Sequence, residues 1–186
     1  MRYATLGPTG SNHELVLKRY LRHTHNTPPT SAPSSIQLFN NFNAAFDALL
    51  TGKVDRVLQC SAHVSHSECV GRFMHRAFPV DTFIAGSRPL ALLARHSATL
   101  PTRVGLQPAT RHYTDLSAFA EQVEMPTIVD VANGLLSAQF DAGICALETQ
   151  QRHPETLRLI KNLGPALDVW ILFSTQPLPN DDPRVI

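Results

Sequence analysis

The sequence predicts an α/β fold with a largely parallel sheet. Strand and helix patterns alternate along 186 residues, of which 43% are hydrophobic. That length and content suffice for a core in one domain or in two small lobes. Repeated alternation of this kind is typical of parallel strands joined by helices.

The first half of the chain alternates clearly. A strand at 3–6 precedes a helix from about 11 to 23, and a loop rich in Pro, Thr and Ser at 27–35 leads to a strand at 36–39. Phe42, Phe46, Leu49 and Leu50 recur at helical spacing, and Gly52 ends that helix. A strand from Val54 then runs into a polar segment at 59–68.

The second half continues the alternation. Strands are predicted at 82–84, 90–94, 104–106, 142–145, 157–160 and 169–173, and helices at 114–123 and 128–136. Asp115 is expected to begin the first of these helices. The tail with Pro177, Pro179 and Pro183 need not be ordered.

Composition excludes several function classes. The formal net charge is +1 and no basic run is longer than a pair, so nothing indicates nucleic-acid binding. No apolar run approaches the ~20 residues of a membrane span. The chain opens directly into a strand without an apolar leader, and Cys60, Cys69 and Cys145 form no paired framework. Both observations predict a cytoplasmic protein with reduced thiols.

The segment from Thr5 to Ser11 reads Thr-Leu-Gly-Pro-Thr-Gly-Ser, a strand end and a tight turn before a helix. A helix N-terminus leaves about four backbone N–H groups unpaired, and these favour a carboxylate or phosphate. Gly10 lets the backbone approach such a ligand, and Ser11 or Asn12 can cap the helix. An ordinary capped turn explains the same residues without a ligand.

Four segments resemble the catalytic domain of prephenate dehydratases. Residues 6–11 resemble the Leu-Gly-Pro-x-Gly-Thr opening of that domain, and residues 42–57 resemble the helix and strand before its Pro-Ile-Glu-Asn-Ser segment. Residues 84–108 resemble its return strand, and residues 131–173 resemble its closing half. The resemblance implies a two-lobed fold like type II periplasmic binding proteins, with mostly parallel sheets and an interlobe cleft. One lobe would comprise about 1–80 plus 166–176, the other about 81–165, with no regulatory domain.

The departures from that family bear on chemistry. Cys60-Ser61-Ala62-His63-Val64 stands where the family has Pro-Ile-Glu-Asn-Ser, and Val169-Trp170-Ile171 stands where it has Thr-Arg-Phe. The missing Thr removes a proton donor to the departing hydroxyl, and the missing Arg removes a bidentate carboxylate partner. The altered pattern resembles the single-domain, non-aromatising prephenate decarboxylases.

The resemblance implies a cofactor-free site. His63 would be the proton donor and Trp170 an apolar wall, which together are the catalytic candidates. The substrate-binding candidates are Gly10, Ser11, Asn12, Ser61, Arg88, Arg111 and Thr127, with Arg88 or Arg111 holding a second carboxylate. Solvated surface arginines, a histidine in a polar loop and a core tryptophan are the simpler interpretations of these residues.

A metal site is a competing interpretation of one segment. Cys60, His63, His66 and Cys69 recur every third residue, and all are zinc-ligand types. On a helix that spacing places Cys60 and Cys69 on opposite faces, and no second ligand pair follows at finger-like spacing. We therefore expect a polar loop and no bound metal.

Two functions remain open from sequence. The first is a lyase that decarboxylates prephenate or a related cyclic carboxylate without aromatisation. The second is a non-catalytic sensor or carrier of an aromatic or dicarboxylic acid, since a binding fold that has lost catalytic residues still binds. The partner in both cases is a small-molecule carboxylate, and the sequence leaves open whether the protein forms a homodimer.

Overall fold

The computed structural model describes residues 1–24 and 34–186, which divide into two compact units. Unit 1 comprises Met1–Ala85 and Leu167–Ile186, and unit 2 comprises Gly86–Ala166. Most of the predicted loop at 27–35 lies outside the described residues. No helix in the described part of the chain is long and apolar enough to cross a membrane.

Unit 1 contains a five-stranded mixed sheet. Its elements are β1 (Arg2–Leu6), α1 (Asn12–Thr24), β2 (Ser35–Phe39), α2 (Phe42–Leu50), β3 (Arg56–Cys60), α3 (His66–Phe73), β4 (Phe78–Gly86) and β10 (Leu167–Ser174). The strand order is β2-β1-β3-β10-β4. Strand β1 pairs in parallel with β2 and β3, whereas β10 runs antiparallel to β3.

Each face of this sheet is covered by helices. On one face, Val16 and Leu17 of α1 pack with Leu58 and Trp170. On the other face, α2 and α3 pack against the sheet. The residues of that second core include Ala4, Leu6, Phe42, Phe46, Val57, Cys69, Phe73 and Phe173. Strand β3 serves both cores because successive side chains alternate between faces.

Unit 2 repeats this plan with a second mixed sheet. Its elements are β5 (Leu90–Arg95), β6 (Arg103–Leu106), a 3-10 turn (Pro108–Thr110), β7 (Glu121–Glu124), α4 (Ile128–Leu136), β8 (Ala142–Ala146), α5 (Leu147–Arg152) and β9 (Leu157–Gly164). The strand order is β7-β6-β8-β5-β9. Strand β6 pairs in parallel with β7 and β8, and β5 runs antiparallel to β8 and β9.

Three expectations from sequence need correction. The helix predicted at 114–123 is absent: Glu121–Glu124 forms an edge strand, and Asp115 accepts the Ser117 N–H at 2.9 Å in a turn. The polar segment at 59–68, expected to be a loop, contains the end of β3 and the start of α3. Helix α5, which the sequence did not predict, follows β8 directly. Both sheets combine parallel and antiparallel pairs, because the returning strands β5 and β10 are inserted beside parallel ones.

Candidate functional site

The predicted residues of unit 1 lie along one edge of its sheet. Gly10, Ser11 and Asn12 follow the carboxyl end of β1, whereas Ser61 and His63 follow that of β3. The antiparallel β10 reaches the same edge, because Trp170 is paired with Cys60. Carboxyl ends of parallel strands are where open α/β sheets usually bind ligands. The topology therefore brings these six candidates, Trp170 included, to one edge.

Ser11 caps α1 in this structure. Its hydroxyl donates to the Leu6 carbonyl at 2.9 Å and accepts the Glu14 N–H at 3.2 Å. The Glu14 carboxylate in turn accepts the Gly10 N–H at 2.6 Å and pairs with Lys18 at 2.5 Å. This Ser-x-x-Glu arrangement resembles a capping box, except that the Glu14 carboxylate accepts the N–H of Gly10 and not that of Ser11, so an internal carboxylate already uses the Gly10 donor. Gly10 itself has φ +86°, which glycine adopts readily.

His13, which sequence reasoning missed, is the centre of an aromatic cluster at this edge. Its ring lies edge-on to Trp170, Phe42 and His63, with centroid distances of 5.2, 5.5 and 5.7 Å. We call His13, Phe42, His63 and Trp170 the edge cluster. Burial, together with the nearby His63, lowers the pKa of His13 to about 3, so the ring is neutral at physiological pH. Its Nε2 is buried and has no hydrogen-bond partner among the described residues.

His63 is held in one tautomer. Its Nδ1 accepts the Ser65 N–H at 3.2 Å and lies 2.8 Å from the Ser65 hydroxyl. A nitrogen that accepts from a backbone N–H carries no proton itself, so the proton of the neutral ring is on Nε2. Burial, followed by the effect of His66, lowers the pKa of His63. The neutral ring can therefore donate a hydrogen bond, but it is a poor general acid.

Trp170 is a deeply buried member of the edge cluster. It is 1% exposed, packs with the α1 core and donates its indole N–H to the Ala85 carbonyl at 3.4 Å. Its covered position supports His13 and offers no open wall of its own. Asp168 lies two residues earlier on the same face of β10, and burial raises the pKa of its carboxyl group. Sequence reasoning did not select Asp168.

Cysteine and metal chemistry are poorly supported at this edge. Burial raises the pKa of Cys60 to about 11, so its thiol is protonated and a weak nucleophile. Among residues 1–24 and 34–186, no three His, Cys, Asp or Glu side chains are placed to hold a metal ion together.

The candidates of unit 2 lie along the corresponding edge of its own sheet. Arg88 precedes β5, Arg111 follows the turn after β6, and Thr127 follows β7. Arg88 forms an ion pair with Glu148, and Arg111 forms one with Glu124. Both guanidinium groups therefore already have carboxylate partners.

Thr127 caps α4 as Ser11 caps α1. Its hydroxyl accepts the Asp130 N–H at 3.1 Å and donates to the Asp130 carboxylate at 2.7 Å. Among the contacts of the described residues, none joins Thr127 to Arg88 or Arg111. The structure thus places all three candidates at one edge without assembling them into a cluster.

No family model matches the chain, and no curated protein sequence matches it. Solved structures do share its fold. A prephenate dehydratase from Arthrobacter aurescens, crystallised with L-Phe, has a TM-score of 0.64 and 20% identity, covering 94% of this chain and 60% of its own. A prephenate dehydratase from Staphylococcus aureus Mu50 has a TM-score of 0.62 and 13% identity, covering 97% and 69%. The periplasmic aliphatic sulphonate binding protein SsuA from Escherichia coli has a TM-score of 0.53 and 13% identity, covering 94% of this chain and 64% of its own.

These likenesses establish the fold class that the sequence predicts. The chain is an α/β protein of the type that prephenate dehydratases share with periplasmic solute-binding proteins. It spans about 60% of the length of the Arthrobacter enzyme. At identities of 20% or less, the likeness shows the fold alone, and the chemistry has to be argued from the residues.

Proposed function

We propose that this protein binds a small cyclic or aromatic carboxylic acid of the prephenate type at the carboxyl edge of the unit 1 sheet. The edge cluster is the observation that carries the proposal. It places a neutral imidazole donor, His63, against the rings of His13 and Phe42 within 6 Å between centroids. Flat apolar faces beside one fixed donor suit a planar or cyclic ligand that carries an oxygen acceptor.

The roles of the residues follow from their contacts. The His63 Nε2–H donates to an oxygen of the ligand, because its Nδ1 is occupied by Ser65. The part-exposed His13 contacts the ring of the ligand, with the buried Phe42 packed against His13 and His63, and Ser61 and Asn12 flank the ligand at the ends of the neighbouring loops. Trp170 fixes His13 from behind. Ser11 keeps the loop in shape through its capping bonds.

A second candidate function is decarboxylation without aromatisation. The observation that favours it is Asp168, a half-buried carboxyl group near the edge whose pKa is raised by burial. In that reaction the bond between the ring and its carboxylate breaks, CO2 leaves, and the electron pair moves into the ring diene. A ring carbon then takes up a proton from the protonated Asp168 carboxyl group, which is left as a carboxylate, and the ring hydroxyl is retained. The product is a dihydro-hydroxyphenylpyruvate.

Calorimetric titration with prephenate tests binding, and CO2 release with product analysis tests the reaction. We expect saturable binding of one prephenate per chain. His63→Leu should weaken it about tenfold, since it removes one hydrogen bond to a charged acceptor. His63→Gln, which can place an N–H near the position of Nε2, should bind within a few-fold of wild type. Exposed His75→Leu is the control and should bind normally.

The product distinguishes the two functions. Binding without CO2 release supports a sensor or carrier. CO2 release that is lost in Asp168→Asn, with binding retained, supports the decarboxylase. Accumulation of phenylpyruvate above the uncatalysed rate would contradict the argument from the missing Thr and Arg. Absence of binding would refute the ligand class.

A further inference from the structure

Unit 1 contains a cavity of about 400 Å³ on the face of its sheet that carries α2 and α3. Its walls come from α2, α3, the start of β4 and the end of β10. Phe46, Phe73 and Phe173 form much of the apolar lining, and His66 is its one imidazole. We call this space the α3 cavity. Cavities of 300–1,000 Å³ with apolar walls and few polar groups are typical of small-ligand sites.

Apolar side chains form the rim of the α3 cavity, and two arginines lie beside one of its walls. Val70 and Met74 line it and are 36% and 53% exposed. The guanidinium groups of Arg72 and Arg76 lie 5.4 and 5.8 Å from the centroid of the Phe73 ring, which is a wall of the cavity. Neither arginine has a carboxylate within ion-pair distance in the described part of the chain.

A buried amide marks the inner side. Gln59 is completely buried, and its Oε1 lies 3.0 Å from the Nδ1 of His66, a residue of the cavity wall. The amide nitrogen of Gln59 is buried without a hydrogen-bond partner among the described residues. The contact with Gln59 holds the His66 ring in the wall, and the other lining residues of the cavity are apolar.

We infer that the α3 cavity binds a small amphipathic carboxylate, with the apolar body inside and the carboxylate at Arg72 and Arg76. At about 30 Å³ per water-sized group, 400 Å³ holds roughly a dozen heavy atoms, the size of decanoate. The two arginines outnumber Glu68, the acidic residue of α3, so the rim favours an anion. This site is separate from the edge cluster and does not depend on the function proposed there.

Calorimetric titration with decanoate, decanol and decylamine tests the inference on the full chain. We expect decanoate to bind saturably, one per chain, about fivefold or more tightly than decanol, and decylamine to bind more weakly than either. In the double variant Arg72→Gln/Arg76→Gln, decanoate should fall to the affinity of decanol. Lys53→Gln, at an exposed cation after α2, should change nothing.

Variants that fill the α3 cavity provide a second test of the inference. Val70→Trp and, independently, Met74→Trp should each lower decanoate affinity at least tenfold, whereas Ser67→Trp on the exposed side of α3 should leave it unchanged. Circular dichroism confirms that each variant is folded. Non-saturable uptake, equal affinity for decanoate and decanol, or unaltered binding in both folded tryptophan variants would overturn the inference. Binding to phosphatidylcholine vesicles without binding of decanoate would also overturn it.

Discussion

Replacing His13 with phenylalanine is expected to remove the part of the acid sensitivity of unit 1 that comes from this buried imidazole. Burial, with the nearby His63, lowers the folded-state pKa of His13 to about 3, against 6.5 for the ordinary imidazole. Between these values the unfolded chain binds a proton that the folded chain does not. The stability associated with neutral His13 is therefore complete above about pH 6.5 and decreases as the pH falls toward 3.

The magnitude follows from this window. Each pH unit within it changes the free energy of unfolding by about 1.4 kcal/mol, so lowering the pH from 7 to 5 costs roughly 2 kcal/mol through His13. Phenylalanine binds no proton and keeps a ring against Phe42 and Trp170. The variant should therefore lose about 2 kcal/mol less than wild type over the same pH change.

Urea unfolding followed by tryptophan fluorescence measures this difference. Trp170 is the only tryptophan and belongs to unit 1, so the signal reports that unit. The exposed His75→Phe is the control and should behave as wild type. If wild type and His13→Phe lost the same free energy between pH 7 and 5, the assignment of His13 as a buried neutral imidazole would be refuted.

Three further perturbations test the fold and the absence of metal. Ser11→Ala and Thr127→Ala should each lower the free energy of unfolding by about 1 kcal/mol, the usual cost of losing an N-cap, and equal stability to wild type in denaturant melts would exclude the capping role. Gly105→Ala should cost about 1–3 kcal/mol, because its Cβ would lie 2.3 Å from Phe140 Cζ, whereas Gly71→Ala, with open space around it, should be neutral or slightly stabilising in the same melts. Chelator treatment should leave the melting temperature unchanged, and stoichiometric zinc lost together with stability would reverse that expectation.

The sequence predicts the elements whose signals are local. Helix α4 has the predicted bounds, because Thr127 caps it and its apolar residues recur at helical spacing. The sequence did not predict strand β7, because the signal for this strand is not local. Glu121, Gln122 and Glu124 are exposed at a sheet edge and show no apolar alternation, so only pairing with β6 makes this segment a strand. That pairing is a contact between distant residues, which a local pattern does not contain.

The residues of the candidate site also differ in whether their roles can be predicted from local sequence. The role of Ser11 as a cap is local, since Glu14 follows three residues later. The importance of His13 arises from Phe42, His63 and Trp170, which are far away in sequence. One signal was available: a side chain in the first turn of a helix that follows a strand lies near the carboxyl edge of the sheet.

One regular sequence pattern is divided between different parts of unit 1. It is the three-residue spacing of Cys60, His63, His66 and Cys69. Cys60 packs in the α1 core and Cys69 in the α2–α3 core, so the two thiols lie on opposite faces of the sheet. His63 joins His13 at the edge, whereas His66 contacts Gln59 and lines the α3 cavity. The spacing therefore separates these residues and does not gather them around one ion.

This separation makes the last prediction specific. His63→Leu should weaken prephenate binding about tenfold and leave decanoate binding within twofold, because its ring is not part of the α3 cavity wall. Val70→Trp should do the reverse, lowering decanoate affinity at least tenfold and leaving prephenate binding within twofold, because it fills the α3 cavity and Val70 is not part of the edge cluster. Parallel titrations of both ligands against both variants measure the four affinities. If either substitution lowered both affinities by the same factor, the edge cluster and the α3 cavity would be one coupled site, and the assignment of separate ligands would be wrong.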